Sequence, residues 1–214
     1  MQIMDILSLF FPPRCPYCGD AIPNGETECS ECRSKFPDEG YMRIIPSGNL
    51  CISPFVYDSD KRYALLRYKF RNDKYCSKSL AKQMYRVICQ FYADERIEVV
   101  CAVPMMKKQK RQRGFNQSQV LAEQIARMMD IPCEELLIKT KINLVQHELD
   151  REQRKTNVIG VYSLSNVQMI KHKRILVVDD ICTTGNTLAE CCRVLLKGGA
   201  EEVFCVAAAN SSHY

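Results

Sequence analysis

Apolar positions along this chain switch between two periods, and the switching predicts its elements. Ile175-Leu176-Val177-Val178 is apolar at every position, the pattern of a parallel strand buried on both faces. Shorter β-rich runs cover Ile52 to Tyr57, Ile97 to Val103 and Val203 to Ala208. Between them the period lengthens. Leu80, Met84, Val87, Ile88 and Phe91 recur at helical spacing across Ser77 to Tyr92, and Leu121, Ile125 and Met128 across Gln119 to Met129. Further helices are predicted over Lys61 to Phe70, with Leu65, Leu66 and Tyr68 inward, and over Leu188 to Lys197, stopped by Gly198-Gly199. Residues 3 to 10 predict a short amphipathic helix halted by Pro12-Pro13. Strands alternating with helices predict an α/β fold, doubly wound around a mostly parallel sheet.

The polar stretch from Pro37 to Asn49 reads as a linker. Residues 1–45 are therefore expected to form a small N-terminal module, and residues 46–214 the main domain. At 214 residues, 46% hydrophobic and 26% charged, the chain has an ordinary globular composition. Its net charge of +5 permits an anionic partner without demanding one. No window approaches the ~18 consecutive apolar residues of a membrane span. The start carries Asp5 and lacks a basic n-region, unlike a signal peptide, so a reducing cytoplasm is expected. There, thirteen cysteines serve as metal ligands and core residues rather than disulfides.

Four of them form two C-x-x-C units, Cys15–Cys18 and Cys29–Cys32, separated by a polar loop. Each unit can aim two sulfurs at one ion, and two units complete a tetrahedron, the layout of a closed, structural zinc site. The ion would staple a module too small for its own core. A nucleic-acid or partner contact is the other use open to it. Cys51, Cys76, Cys89, Cys101, Cys133, Cys182, Cys191, Cys192 and Cys205 read as small core residues. Among these, Cys182 is expected to stand near a helix N-terminus with a lowered thiol pKa, open to inhibitory oxidation. His147 and His172 read as solvent-facing.

The buried run from Ile175 ends in Asp179-Asp180, followed by Thr183-Thr184-Gly185-Asn186-Thr187 at the start of a helix. Open α/β sheets bind ligands at the carboxyl ends of their strands. Backbone N–H groups at a helix N-terminus make an anion site. Carboxylates beside a phosphate cradle suit a ligand with vicinal hydroxyls and a phosphate, such as ribose 5-phosphate. The string resembles the signature of the type I phosphoribosyltransferases. That resemblance implies phosphoribosyl pyrophosphate (PRPP), bound with magnesium, as the ligand. Asp179 and Asp180 would hold its ribose hydroxyls, and Thr183, Thr184, Gly185, Asn186 and Thr187 its 5-phosphate.

Lys107, Lys108, Lys110, Arg111 and Arg113 crowd the segment after the strand ending at Val103. A mobile basic loop there could close over the same sheet edge and meet the charge of a departing pyrophosphate. Lys107, Arg111 and Arg113 are the expected catalytic cations. With Phe115 nearby the segment could also contact a nucleic-acid backbone and stack a base. Arg113-Gly114-Phe115-Asn116-Gln117-Ser118, then Gln146, Leu149, Arg154 and Asn157, then the acidic pair and its Thr-rich loop, together resemble the ComF family. Its members are predicted phosphoribosyltransferases with an N-terminal double C-x-x-C module, linked to DNA uptake in competent bacteria. The resemblance implies that Val103, Pro104 and Met105 form the pyrophosphate loop. Phe115, Asn116, Gln117, Gln146, Arg154 and Asn157 would brace the closed loop or touch the acceptor.

Two functions stand open. One is transfer of ribose 5-phosphate from magnesium-PRPP to an unnamed acceptor. The other is a non-catalytic PRPP- or nucleotide-sensing module associated with single-stranded DNA or the competence machinery. With few residues after the last strand, the N-terminal portion, including the zinc module, is the expected hood over the acceptor.

Overall fold

A computed structural model describes residues 12–57, 64–68, 74–140 and 160–211. The short helix expected over residues 3 to 10 lies outside these. So do Gln146, His147, Arg154 and Asn157.

The core is a six-stranded sheet. It holds β1 (Tyr41–Ile44), β2 (Leu50–Ser53), β3 (Phe55–Tyr57), β4 (Val99–Ala102), β7 (Arg174–Cys182) and β8 (Glu202–Ser211). The order is β1-β2-β8-β7-β4, with β3 also paired to β8. All pairings are parallel except β1 with β2. β5 (Leu137–Lys139) and β6 (Tyr162–Leu164) make a separate antiparallel hairpin.

Alternate residues of each central strand feed two different cores, which is why these strands are apolar throughout. Leu176 and Val178 of β7, Phe204 and Val206 of β8, and Val100 of β4 pack on one face. There they meet helices α2 (Lys74–Phe91) and α4 (Gln117–Met129) through Leu80, Met84, Ile88, Leu121 and Ile125. Ile175 and Val177, Val203 and Cys205, and Val99 and Cys101 point the other way. That face is covered by Leu188, Cys191, Cys192 and Leu195 of α5 (Asn186–Lys197) and by Leu137 and Tyr162 of the hairpin. Each large aliphatic side chain buried this way contributes about 1.5–3 kcal/mol.

α5 stops as its glycine pair predicts. Gly199 adopts φ +94°. Its N–H bonds to Leu196 O, and that of Ala200 to Leu195 O, a Schellman ending. Five expectations change. Residues 41–44 of the expected linker form edge strand β1, because its neighbour Ile45 is buried in the sheet's second core. The single run from Ile52 to Tyr57 is two strands, broken at Pro54, which has no N–H for a ladder. Met128 is 37% exposed; Ala122 and Ala126 complete the buried face of α4 instead. Cys89 sits on the exposed side of α2 rather than in the core, and Cys133 is half-buried. Lys107–Arg113 is a helix, α3, not an irregular loop. Its Lys, Arg and Gln residues are good helix formers, and Lys110, Arg111 and Arg113 in the last turn suit the helix dipole.

At the N-terminus, α1 (Ser30–Ser34) and the turns around it form a compact ribbon. Tyr17 packs edge-on against Phe36 and Phe55, and its hydroxyl lies 3.0 Å from Ser79 Oγ on α2. The buried Glu28 carboxylate ties Arg33 of the ribbon (3.1 Å) to Lys82 of α2 (3.8 Å). No helix among the described residues is long and apolar enough to cross a membrane.

Candidate functional site

β7 outruns β4. The last rung between them is Val103 N–H to Val178 O at 2.9 Å. On the other side β7 stays paired to β8 as far as Cys182 with Asn210. Asp179 and Asp180 therefore lie within the strand yet past the end of β4. The chain leaving β4 goes on to α4 on one face of the sheet while α5, after β7, covers the other, which opens the crevice typical of such sheets. Successive side chains on a strand leave opposite faces. Asp180 makes itself felt at Tyr68, and Asp179 at Lys139 and Tyr162 of the hairpin.

Asp179 is 8% exposed. Its Oδ1 accepts from Ser118 Oγ at 2.9 Å and from Asp180 N–H at 2.9 Å. Burial first, and the Asp180 charge second, hold its carboxyl well above the usual carboxylate range. Asp180 Oδ1 accepts from Ile181 N–H at 2.8 Å. For each carboxylate no bond to Oδ2 is recorded among the described residues, so both present an oxygen for a ligand.

The loop from Thr183 runs into α5 at Gly185, whose φ of +77° makes it the N-cap. First-turn N–H groups have no intrahelical acceptor. The N-cap Gly185 has no side chain to offer them; the Asn186 N–H alone makes a long contact of 3.5 Å, to Thr184 Oγ1, among the described residues. Thr183 and Thr184 are exposed, Asn186 and Thr187 half-exposed. Gly185 is buried against Ile45: a β-carbon there would stand 2.6 Å from Ile45 Cγ2. Tyr162 of the hairpin hydrogen-bonds Thr187. Cys182 is the last residue of β7, below the loop rather than in it, and 2% exposed. A hydrogen bond from Cys51 lowers its thiol pKa, with a smaller contribution from the Arg43 charge. The lowering has a different source from the expected helix N-terminus, and burial removes the access to oxidants.

Val103, Pro104 and Met105 are extended between β4 and α3, with Val103 O held by Asn116 Nδ2 at 3.1 Å. A cleft of about 170 Å³ opens beside them, lined by Pro104, Met105, Lys107, Lys110, Gln119 and Lys139 among others. Lys107 thus reaches the cleft. Arg111 and Arg113 do not line it; they are exposed on α3. Lys110 and Lys139 enter the cleft unanticipated. Lys139 Nζ stands 5.6 Å from the centre of the Tyr162 ring, and burial lowers its pKa. Nothing in its local sequence marks Lys139, because the hairpin that carries it is built from distant segments.

Gly114, with φ +82°, ends α3. The residues after it are a junction. Phe115 packs edge-on against Tyr68, whose hydroxyl donates to Gln117 O at 2.6 Å. Asn116 and Gln117 are 9% and 1% exposed, placed to brace rather than to meet solvent. Ser118 went unassigned from sequence, although it closes the same motif.

The four thiols Cys15, Cys18, Cys29 and Cys32 have sulfurs all within 4.8 Å of one another. Cys18 Sγ and Cys29 Sγ are 3.7 Å apart, and zinc–sulfur bonds of about 2.3 Å give a tetrahedral edge of roughly 3.8 Å. Backbone N–H groups of Cys29 and Cys32 point at Cys15 Sγ (3.5 Å) and Cys29 Sγ (3.3 Å), the screening a thiolate site needs. The donor set fits zinc. The ribbon meets the acidic pair's surroundings through helical residues 64–68: Arg67 Nη1 donates to Cys15 O at 3.2 Å, while its neighbour Tyr68 packs on the junction beside Asp180.

Comparison with known proteins agrees with this layout. Residues 115–214 match the phosphoribosyl transferase domain, and residues 6–42 the double zinc ribbon domain. That span contains only four cysteines, enough thiolates for one ion. A phosphoribosyl transferase domain match thus falls on the part of the mostly parallel α/β sheet that carries the acidic pair, and a zinc ribbon match on the N-terminal module. Competence protein F of Haemophilus influenzae is 28% identical over 196 residues, 89% of this chain and 82% of that protein. The DNA utilization protein YhgH of Escherichia coli K12 is 24% identical, covering 88% and 80%. Competence protein ComFC of Bacillus subtilis is 26% identical, covering 86% and 72%. The chain is thus similar to these competence and DNA utilization proteins along most of its length. Among solved structures, the B. subtilis glutamine PRPP amidotransferase is 23% identical with a TM-score of 0.43, covering 62% of this chain and 26% of that enzyme. This chain spans about a quarter of that enzyme's length.

Proposed function

We propose that this protein binds magnesium-PRPP and transfers its ribose 5-phosphate to a nitrogen or hydroxyl acceptor, releasing pyrophosphate. The observation that carries this reading is the placement of Asp179 and Asp180 past the last β4–β7 rung, beside the N-terminus of α5, where the N-cap Gly185 makes no side-chain cap bond. The free oxygens of the pair suit the ribose hydroxyls, and the 183–187 loop suits the 5-phosphate. The cleft at Pro104, Met105 and Lys107, with Lys110 and Lys139, suits the pyrophosphate. The acceptor's lone pair would form the new bond at the anomeric carbon as the bond to pyrophosphate breaks. Bound magnesium supplies charge neutralisation for the phosphates. The chain's part is to orient the ribose and hold the leaving anion among its lysines. Arg111 and Arg113 face solvent on α3, so their role as catalytic cations would require α3 or the ligand to reorient.

Calorimetry with magnesium-PRPP tests the reading. Binding by the wild type that Asp180→Asn abolishes supports it; no binding by the wild type overturns it. A screen of nucleobases and small amines for PRPP-dependent pyrophosphate release would then identify the acceptor.

A second reading rests on α3. All seven of its residues are exposed, five of them cationic, and relatives are named for competence and DNA utilization. A sensing module would bind PRPP without turnover and single-stranded DNA through α3. Its affinity would fall with salt at a slope of about −0.7 per phosphate neutralised. An unchanged slope in an Arg111→Ala, Arg113→Ala double variant would count against it.

A further inference from the structure

Residues 43–114 lie between the two family matches, yet this region reaches the phosphate loop from outside the matched domain. Arg43 of β1 donates through Nη1 to the Thr183 carbonyl. The same nitrogen lies 3.4 Å from Ser211 Oγ, at the end of β8, and Ser211 Oγ itself donates to Thr183 O at 3.0 Å. Two donors from two strands therefore converge on one loop carbonyl. In a trans peptide the carbonyl and the next N–H point in opposite directions. Holding Thr183 O toward Arg43 and Ser211 turns Thr184 N–H to the opposite edge of that peptide.

Two residues further on, Ile45 packs against Gly185 so closely that no β-carbon fits. The strap carrying Arg43 and Ile45 is itself fixed. Ile45 N–H bonds to Asn49 O at 3.0 Å, and Asn49 Nδ2 to Val203 O at 2.9 Å on the sheet. The guanidinium also puts a fixed positive charge at the root of the loop, where Cys182 feels it.

We propose that Arg43 is a positioning residue for a phosphomonoester at the 183–187 loop: with Ser211 it orients the Thr183–Thr184 peptide, and its charge favours the anion. This rests on the PRPP reading and adds to it a residue from outside the matched domain. The cleft at Lys107 and Lys139 lies on the far side of the acidic pair, so pyrophosphate binding should not depend on Arg43.

The test uses the full zinc-loaded chain, with ribose 5-phosphate and magnesium pyrophosphate titrated separately by calorimetry. Arg43→Met should weaken ribose 5-phosphate about tenfold, as loss of a charge-assisted contact does, and leave pyrophosphate unchanged. Arg43→Lys should recover part of the loss, because an ammonium keeps the charge but not the fork. Ser211→Ala, which leaves Arg43 in place, should show a smaller loss in the same direction. Amide exchange in the ligand-free protein should speed up at residues 183–188 in Arg43→Met. Equal ribose 5-phosphate affinity in all variants, a parallel loss of both ligands, or unaltered exchange would each overturn the proposal while leaving the PRPP reading intact. A wild type that binds neither ligand would instead remove the PRPP reading, and the proposal with it.

Discussion

The Ser118 hydroxyl donates to Asp179 Oδ1 across 2.9 Å, joining the first turn of α4 to the strand that carries the acidic pair. That bond and the Asp180 N–H ease, but do not cancel, the cost of a carboxylate buried beside another. An ionised Asp179 is a charge the fold would prefer to shed.

Stability should therefore depend on pH in a definite direction. A carboxyl with a raised native pKa binds its proton more tightly folded than unfolded, where it titrates near about 3.9. Between that pH and the native value, stability falls as pH rises. Asp179→Asn keeps an oxygen for Ser118 and removes the charge. It should melt above the wild type at pH 8, converge with it near about pH 4, and lose magnesium-PRPP binding. Thermal melts across pH check this; a lower Tm than wild type at pH 8 would count against it.

Gly185→Ala should be costly for two separable reasons. A β-carbon in the left-handed region costs about 1–2 kcal/mol, and overpacking against Ile45 about 1–3 kcal/mol more. Ile45→Ala relieves the second cost and not the first. A double-mutant cycle in urea should show a favourable coupling of about 1 kcal/mol or more; strict additivity would show that Ile45 does not set the limit.

The cleft lysines should act on one ligand. Lys139→Met is expected to weaken magnesium pyrophosphate about tenfold, as removal of a charged contact does, with ribose 5-phosphate unaffected. Because burial lowers the Lys139 pKa, its charge is lost below the ordinary lysine range of about 10.4. Pyrophosphate affinity should then fall on the alkaline side in the wild type and not in the variant. A pH-independent difference between the two would sink this assignment.

Zinc analysis should find one ion per chain, set by the four thiols of the ribbon. Chelation, or Cys32→Ala, should lower Tm and loosen residues 64–68, because Arg67 is anchored on the Cys15 carbonyl. Hydrogen exchange reads both effects. Metal-free protein with unaltered protection at Leu65 and Tyr68 would show that the ribbon is mechanically independent of the main domain.

The central strands β4, β7 and β8, the helices α2, α4 and α5 and the Asp179–Thr187 string were legible from local order alone. Period and contiguity are properties of neighbouring residues, so Ile175 to Val178 declares its two-faced burial without reference to anything distant. The C-x-x-C pairs are local for the same reason: each unit needs only its own turn to aim two sulfurs. The helical state of Lys107–Arg113 was within reach of helix propensity, but a dense run of like charge also suits an open loop. Lys139, Arg43 and Ile45 had no such signal, and Ser118 stood in a motif that did not give its partner. Each meets its partner across tens of residues of chain, through contacts that exist only once β1, α4 and the β5–β6 hairpin have closed on the ends of β7 and β8. Sequence alone determined which candidate residues the chain carries and on which elements. Tertiary structure decided which side chains surround it, because proximity between distant segments is set by packing of the two cores and not by spacing along the chain.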